Sequence, residues 1–502
     1  MNILIAGGGT AGWLTALYIL KKFPNQHTVT VIESSKLGII GVGEGGTPFL
    51  GDIIRNVDCD FGIDSEEFTK ETDAAMKMGI HHINWKSCGS DYKAPLDFSP
   101  TYNEDADTYL LHALENNIPF HLTTKLGWYW DQTKIPYLKT PQPTKNPEYY
   151  ISDGHSYHFN TYLLGRYFKK IVCEVGGTYV DAIINDVEID DAGIKSLILD
   201  NGSILTSDLY VDCTGFSKTL ITKLTDNWQD YSDKLPINRA MAFYLPVDKG
   251  QEIPLWTIAH AMSSGWMWQI PILNRFGCGY VFCDKYLTDE QAQAEIEKEL
   301  GRKIEPYKFI KFQSGRFEKG WHKNCVSLGL AYSFVEPLEA TSIHSTIIQI
   351  KNMTEVISNK ISVNEYNTRT AKLLDAIKDF ISVHYSGGRN DSEFWRNVKL
   401  TDFAQRIVDI SKTRLITPAD IPTGEGHPKA FQYNMVLAGL GHITADTAKN
   451  TAKWHQMTDE WNKWCTDRQA ELDKCYSIQE WINEVDLKFG RELVEKFKEL
   501  RT

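Results

Sequence analysis

The sequence predicts an α/β protein with mixed sheets: a nucleotide-binding unit at the N-terminus, a long core, and an appended, mainly helical C-terminal part. Three observations lead there. The chain opens on an apolar run that passes directly into a glycine-rich turn and then an amphipathic stretch. Two later apolar runs, far down the chain, again end on glycine. Beyond about residue 395 such runs give way to apolar residues spaced three and four apart.

Residues Asn2 to Ala6 (NILIA) form a short apolar run, as a buried parallel strand requires. GGGTAG follows, with Gly7, Gly9 and Gly12 in GxGxxG spacing around Thr10 and Ala11. WLTALYILKK then reads as a helix, and HTVTVIE as the next strand, ending at Glu33. Gly7 permits a tight turn, Gly9 lets backbone approach a pyrophosphate, and Gly12 allows close helix–strand packing. The helix N-terminus offers N–H groups to phosphates, and Glu33 can accept from a ribose diol. Strand, glycines, helix, strand and acid fall in the order dinucleotide binding demands.

The remaining elements favour FAD over NAD. A nicotinamide domain continues through further βαβ units, whereas here the chain enters a second glycine-rich loop, GIIGVGEGGTPFL. DLYVDCTGF later ends near Gly215, and NCVSLGLA reaches Gly329. Strand-to-glycine elements so far apart fit the long FAD folds of the flavin monooxygenase type, in which distant segments converge on one flavin.

Composition limits the alternatives. At 502 residues there is room for two domains, or for one large core with an appendage. The net charge of −12, with no basic stripe, argues against a nucleic-acid partner. No run approaches the roughly 18 apolar residues a membrane span needs. The first strand begins at residue 2 with no basic leader before it, which predicts a cytoplasmic protein. The nine cysteines contain no CxxC pair, so reduced thiols are expected and no zinc site. The histidines of GIHHIN and SIHS have no metal-ligand spacing either and read as satisfied side chains.

GWMWQIP, residues 265 to 271, reads as a buried strand with Trp266 and Trp268 on one face and Pro271 ending the run. It occurs together with MKMGIHHINW (76–85), GEGGTP (43–48), YHF (157–159), EPLEATSIH (336–344) and HYSGGRNDSEFW (384–395). With GxGxxG and GWxWxIP in one chain, the sequence resembles the flavin-dependent halogenases typified by the tryptophan halogenases, in order from residue 1 to about 400.

The resemblance implies an enzyme that takes reduced FAD (FADH2) from a separate flavin reductase. Oxygen and a halide ion (chloride, bromide or iodide) then yield hypohalous acid, which halogenates a small electron-rich aromatic substrate. It implies FAD contacts at Gly7, Gly9, Thr10, Ala11, Gly12, Glu33, Gly215 and Gly329. A strap over the flavin is implied at Gly43, Gly45, Gly46, Thr47 and Pro48. Trp266, Trp268 and Pro271 would form a wall keeping substrate from the flavin. Lys77 aligns with the active-site lysine, which as an ammonium hydrogen-bonds hypohalous acid or as an amine forms a haloamine; both remain open. Glu339 aligns with the catalytic glutamate, placed to stabilise the cationic intermediate and accept its proton. Main-chain N–H groups at Thr341 and Ser342 would hold the halide. Glu336 is expected to make a structural hydrogen bond. Residues 1–395 would form the FAD-binding core, with a substrate-side insertion at about 86–150. Residues 396–502 would form a helical subdomain capping the substrate site. Oligomeric state is left open.

Four departures bear on the substrate. EPLEAT stands where the tryptophan-acting branch has EPLEST, and Ser342 where it has glycine, leaving halide preference open. GEGGTP replaces an Ala-Thr pair with two glycines, which predicts a looser strap. SDYKAPLDF lacks the His-Pro-Phe grouping that sandwiches indole, leaving Phe98, and Asn160 follows YHF where aspartate is usual. Free tryptophan is therefore not the expected substrate; Trp395 is a further substrate-side candidate. An FAD-dependent aromatic hydroxylase is the competing enzyme class, but such enzymes carry an Asp-Gly motif for NAD(P)H and flavin between the two nucleotide elements, and no comparable segment is read here. A non-catalytic flavin-binding protein is the other alternative, against which the intact Lys77 and Glu339 argue.

Overall fold

A computed structural model describes residues 1–39, 41, 44–55, 61, 63–96, 106–139, 154–248, 251–451 and 457–489. The N-terminal strand Asn2–Ala6 sits in a six-stranded sheet between Leu209–Asp212 and Thr28–Glu33, parallel to both. Cys325–Ser327 extends the sheet on one side and Thr178–Asp181 on the other. All four contacts are parallel and both faces are buried, one against the helix Thr10–Lys22 and the other against the strands Ile184–Asp190 and Gly193–Leu199, which is why NILIA is apolar throughout rather than alternating. The three strand-to-glycine elements thus converge in one sheet, with Gly7, Gly215 and Gly329 following its strands at one end.

A second, seven-stranded sheet runs in the order Lys308–Lys311, Arg239–Pro246, Arg275–Phe282, Gly265–Pro271, Trp256–Ala261, Gly79–Ile83, Asp91–Pro95. GWMWQIP is one of its central strands, as the alternation predicts. Trp266, Trp268 and Ile270 belong to the main core, while Met267 packs on the other face with Ala292 and Ile296 of the helix Asp289–Leu300. Both faces are buried apart from the partly exposed Gln269, so the strand is apolar on both sides.

A small antiparallel sheet joins Glu44–Gly45, Ser156–Phe159 and Ala75–Lys77. It places Lys77 opposite Ser156, and Gly45 opposite His158. Met78 then turns the chain into the large sheet: its N–H donates to the Leu255 carbonyl at 2.6 Å, and its own carbonyl accepts from Leu96 at 2.8 Å. Lys77 is fixed at that corner.

Two helices, Thr341–Ile357 and Val363–His384, follow the second sheet and pack against each other. Their connection is only residues 358–362, so they run antiparallel and bring the start of the first beside the end of the second. Glu339 and His384 meet for this reason. Further helices lie at Asp402–Ser411, Ala430–Gly439, Thr458–Leu472 and Ile478–Phe489. Among the described residues no helix is long and apolar enough to cross a membrane.

Candidate active site

The first site is a cavity of about 480 Å³ at the ends of the parallel strands. Gly7, Gly9, Thr10, Ala11, Glu33, Gly215 and Gly329 line it, together with Ser342 and Phe216. The glycines have separate causes. Gly7 has a φ of 108°, and a Cβ there would lie 2.2 Å from the Cys213 carbonyl oxygen. A Cβ on Gly12 would fall 1.9 Å from the Gly7 carbonyl oxygen, so this glycine serves the turn itself and does not line the cavity. A Cβ on Gly9 would meet nothing within 4 Å. The loop is therefore tight behind and open in front, where the helix Thr10–Lys22 begins with no side-chain cap. That arrangement fits a dinucleotide pyrophosphate.

Glu33 also fits, with partners the sequence did not disclose. Lys169 donates to its Oε1 at 2.8 Å and the Trp13 indole to its Oε2 at 3.1 Å. These contacts hold the carboxylate in place, and each oxygen keeps a lone pair for a ribose hydroxyl. Asp212, buried, was not recognised as a site residue. It accepts from Thr214 N–H and hydroxyl and from the N–H groups of Leu220 and Ile221, shaping the loop that presents Gly215 and Phe216.

A second cavity, of about 170 Å³, adjoins the first. Phe216, Leu330, Ser342 and Ile343 border both. Lys77 and Glu339 line this second cavity together with Trp266, Trp268 and Gly45. Pro271 and Thr341 do not line it. Phe216, Phe312 and Phe334 separate it from a third, more open cavity beside Lys218 and Trp228.

Lys77 is 1% exposed. Burial pulls its pKa down to about 8, although Glu339 pushes it the other way. Glu339 adopts a left-handed backbone (φ 67°), as does Ala340 (φ 54°) directly before the helix Thr341–Ile357. These two consecutive left-handed residues turn the Glu339 carboxylate into the cavity, at a strain of roughly 1–3 kcal/mol each.

Burial alone would raise the Glu339 pKa, but His384 and His82 outweigh it and hold the carboxyl well below its ordinary range. His384 Nε2 lies 3.1 Å from Glu339 Oε1, and its Nδ1 lies 3.1 Å from the Phe380 carbonyl. His82 Nε2 approaches the same Oε1 at 3.3 Å without hydrogen-bond geometry. His82 is completely buried, and burial lowers its pKa to about 4. The expectation of satisfied histidines thus holds for His344, bonded to Thr47 Oγ1 and the Gly426 carbonyl, but not for His82. The sequence hides the trio because residues 82, 339 and 384 come from three distant segments.

Glu336 makes the structural contacts expected of it. Its carboxyl accepts from the Trp266 indole at 3.0 Å and from the Tyr385 hydroxyl at 2.8 Å. Burial pushes its pKa up to about 7 against those hydrogen bonds. Trp266 is thereby locked in orientation beside the cavity.

Other predicted residues fall as follows. Gly46 donates to the Tyr157 carbonyl, and Ser156 donates to the Thr47 carbonyl. A Cβ on Gly46 would lie 2.5 Å from Leu50 Cδ2 and 2.6 Å from Ser156 Oγ. This glycine answers a steric demand, and the stretch from Glu44 to Pro48 is tied at several points rather than loose. Asn160 caps the helix Thr161–Glu174 with its side-chain oxygen, as an aspartate would. Trp395 is packed in the core, with its indole donating to the Met262 carbonyl and Arg389 over its ring, away from the cavities. Gly43 and Phe98 lie outside the described residues.

Comparisons with known proteins agree with this geometry. The family model described as Tryptophan halogenase matches residues 2–456. Tryptophan 7-halogenase RebH of Lentzea aerocolonigenes is 30% identical, over 96% of this chain and 98% of its own. Tryptophan 7-halogenase KtzQ of Kutzneria sp. (strain 744) is 30% identical, over 88% and 89%. The crystal structure of a Tryptophan 6-halogenase (SttH) from Streptomyces toxytricini superposes with a TM-score of 0.84 at 26% identity, covering 96% of this chain and 99% of that one. A chain with this nucleotide cavity and a match along most of its length belongs to the tryptophan halogenase family of flavin-dependent, FADH2- and halide-using oxidoreductases.

Proposed function

We propose that this halogenase acts on a small indole- or phenol-like compound and that Lys77 and Glu339 carry the halogen transfer. The observation that carries the proposal is their position on one cavity, adjoining the nucleotide cavity across only four residues. Reduced FAD, delivered in this family by a separate reductase, supplies hypohalous acid when bound with oxygen and halide.

The cavity is large enough for a few water-sized molecules, at about 30 Å³ each, so hypohalous acid fits. Trp266 and Trp268 give it stiff, apolar walls that narrow it against a larger organic molecule, while Phe216, Leu330, Ser342 and Ile343 stand between it and the nucleotide cavity. The first turn of the helix Thr341–Ile357, uncapped by any side chain at Ala340, offers N–H donors suited to a halide at Ser342.

With a pKa near 8, Lys77 is mostly an ammonium at neutral pH. It donates a hydrogen bond to the oxygen of hypohalous acid and makes the halogen more electrophilic. Glu339, held ionised by His384 and His82, stabilises the positive charge on the attacked ring and accepts the proton lost from the substituted carbon. The missing His-Pro-Phe grouping in SDYKAPLDF supports a substrate other than free tryptophan.

A panel of indoles, phenols and free tryptophan, run separately with chloride, bromide and iodide, tests the reading by mass spectrometry. Halogenated product from a compound other than free tryptophan supports it; oxygenated product, or halogenation confined to tryptophan, contradicts it. Glu339→Gln should lower halogenation by about 10²–10⁴.

A further inference from the structure

His82, Glu339 and His384 present one ligand atom each within 4.8 Å of one another. Several features of the trio are not explained by hydrogen bonding alone. His384 Nδ1 donates to the Phe380 carbonyl at 3.1 Å, which leaves Nε2, 3.1 Å from Glu339 Oε1, as its ligand atom. His82 turns Nε2 toward that same oxygen at 3.3 Å. Among the described residues neither nitrogen of His82 has a hydrogen-bond partner, although the side chain is completely buried. Its ring stacks on Tyr92 at 4.5 Å, with planes 6° apart, which fixes the direction of the unpartnered nitrogen. A cation would serve both imidazole nitrogens and the carboxylate oxygen at once.

We propose that this trio is a binding site for a borderline first-row divalent cation, with Zn²⁺ as the archetype. Ligand bonds of about 2.0–2.2 Å in a tetrahedral site put neighbouring ligand atoms about 3.3 Å apart. The two nitrogen–oxygen separations are 3.3 and 3.1 Å, and the two imidazole nitrogens lie within 4.8 Å of each other. Two imidazoles and one carboxylate suit Zn²⁺, Co²⁺ or Fe²⁺ and disfavour Mg²⁺, which prefers oxygen ligands. Three protein ligands leave one position open, and Glu339 gives access to it from the cavity it lines.

A cation bound here would draw negative charge from Glu339 and suppress halogen transfer. Binding depends only on the three ligands; the suppression rests on the role assigned to Glu339 above. The two are measured separately. The full chain is stripped with a chelator, dialysed against Zn²⁺ in the presence of excess Mg²⁺, and its metal content determined. About one Zn²⁺ per chain is expected. His82→Phe keeps the stack on Tyr92, and His384→Gln keeps a polar side chain. Each should weaken Zn²⁺ binding beyond the roughly 10–100-fold that follows loss of a supporting group, with FAD binding retained as the check on folding. Co²⁺ in place of Zn²⁺ should give the strong visible absorption of a tetrahedral site, absent from both variants. Failure to retain Zn²⁺, or retention that neither substitution changes, would overturn the site. Zn²⁺ held by the trio while halogenation continues undiminished would uphold the site and remove Glu339 from the mechanism.

Discussion

Lys77→Met should make the protein more stable at neutral pH, although it removes a residue assigned to the reaction. Methionine matches the length of the lysine stem and fills the buried site without a charge. Burial lowers the Lys77 pKa from 10.5 to about 8, Glu339 opposing the shift. The difference of roughly 2.5 units corresponds to about 3 kcal/mol at 1.36 kcal/mol per unit. The sign follows from proton binding. Between pH 8 and 10.5 the unfolded chain holds a proton on Lys77 that the folded chain has lost, so stability rises with pH over that window. Below pH 8 the folded chain bears the full burden of a buried ammonium. Denaturant unfolding of both proteins, without flavin, at pH 7, 9 and 10.5 measures the gap. Lys77→Met should lead by up to about 3 kcal/mol at pH 7, and the lead should close toward pH 10.5. A destabilised variant, or a lead that does not change with pH, would refute the claim that Lys77 is held in its site at the expense of stability.

The same ionisation governs the reaction. Between pH 7 and pH 9 the share of Lys77 present as ammonium falls from about nine-tenths to about one-tenth. Product per hypohalous acid released should fall with it, whereas a rise would favour a haloamine at Lys77. Trp266→Phe removes a donor from the buried Glu336 carboxyl, and unfolding should show a loss of about 1–3 kcal/mol. Ala340→Gly relieves a left-handed backbone (φ 54°); thermal unfolding should report a gain of about 1 kcal/mol, while halogenation falls because the turn aiming Glu339 is loosened.

Legibility in the sequence followed chain distance. The loop from Gly7 to Gly12 was readable because its requirements lie within a few residues: a turn that excludes Cβ atoms, then a helix start. GWMWQIP was readable as a strand for the same reason, and so was the structural part for Glu336, though not its partners Trp266 and Tyr385. What could not be read depended on convergence. Lys169 reaches Glu33 across 136 residues. His82 and His384 reach Glu339 from a sheet strand and from the far end of a helical hairpin whose short connection, residues 358–362, returns the chain to it. In the sequence Ala340 is simply alanine where the tryptophan-acting branch has serine, yet its left-handed backbone is what the structure makes notable. Gly46 looked like freedom and proved to be a close fit.

The central claim is that oxidant production and halogen transfer are separate tasks of adjoining cavities, and Lys77→Ala tests it most directly. Flavin reoxidation, hypohalous acid captured by a diffusible trap, and halogenated product are measured in one reaction. Product should disappear while reoxidation and trapped acid stay close to the parent protein's levels. Product at the parent rate, or loss of all three together, would contradict it.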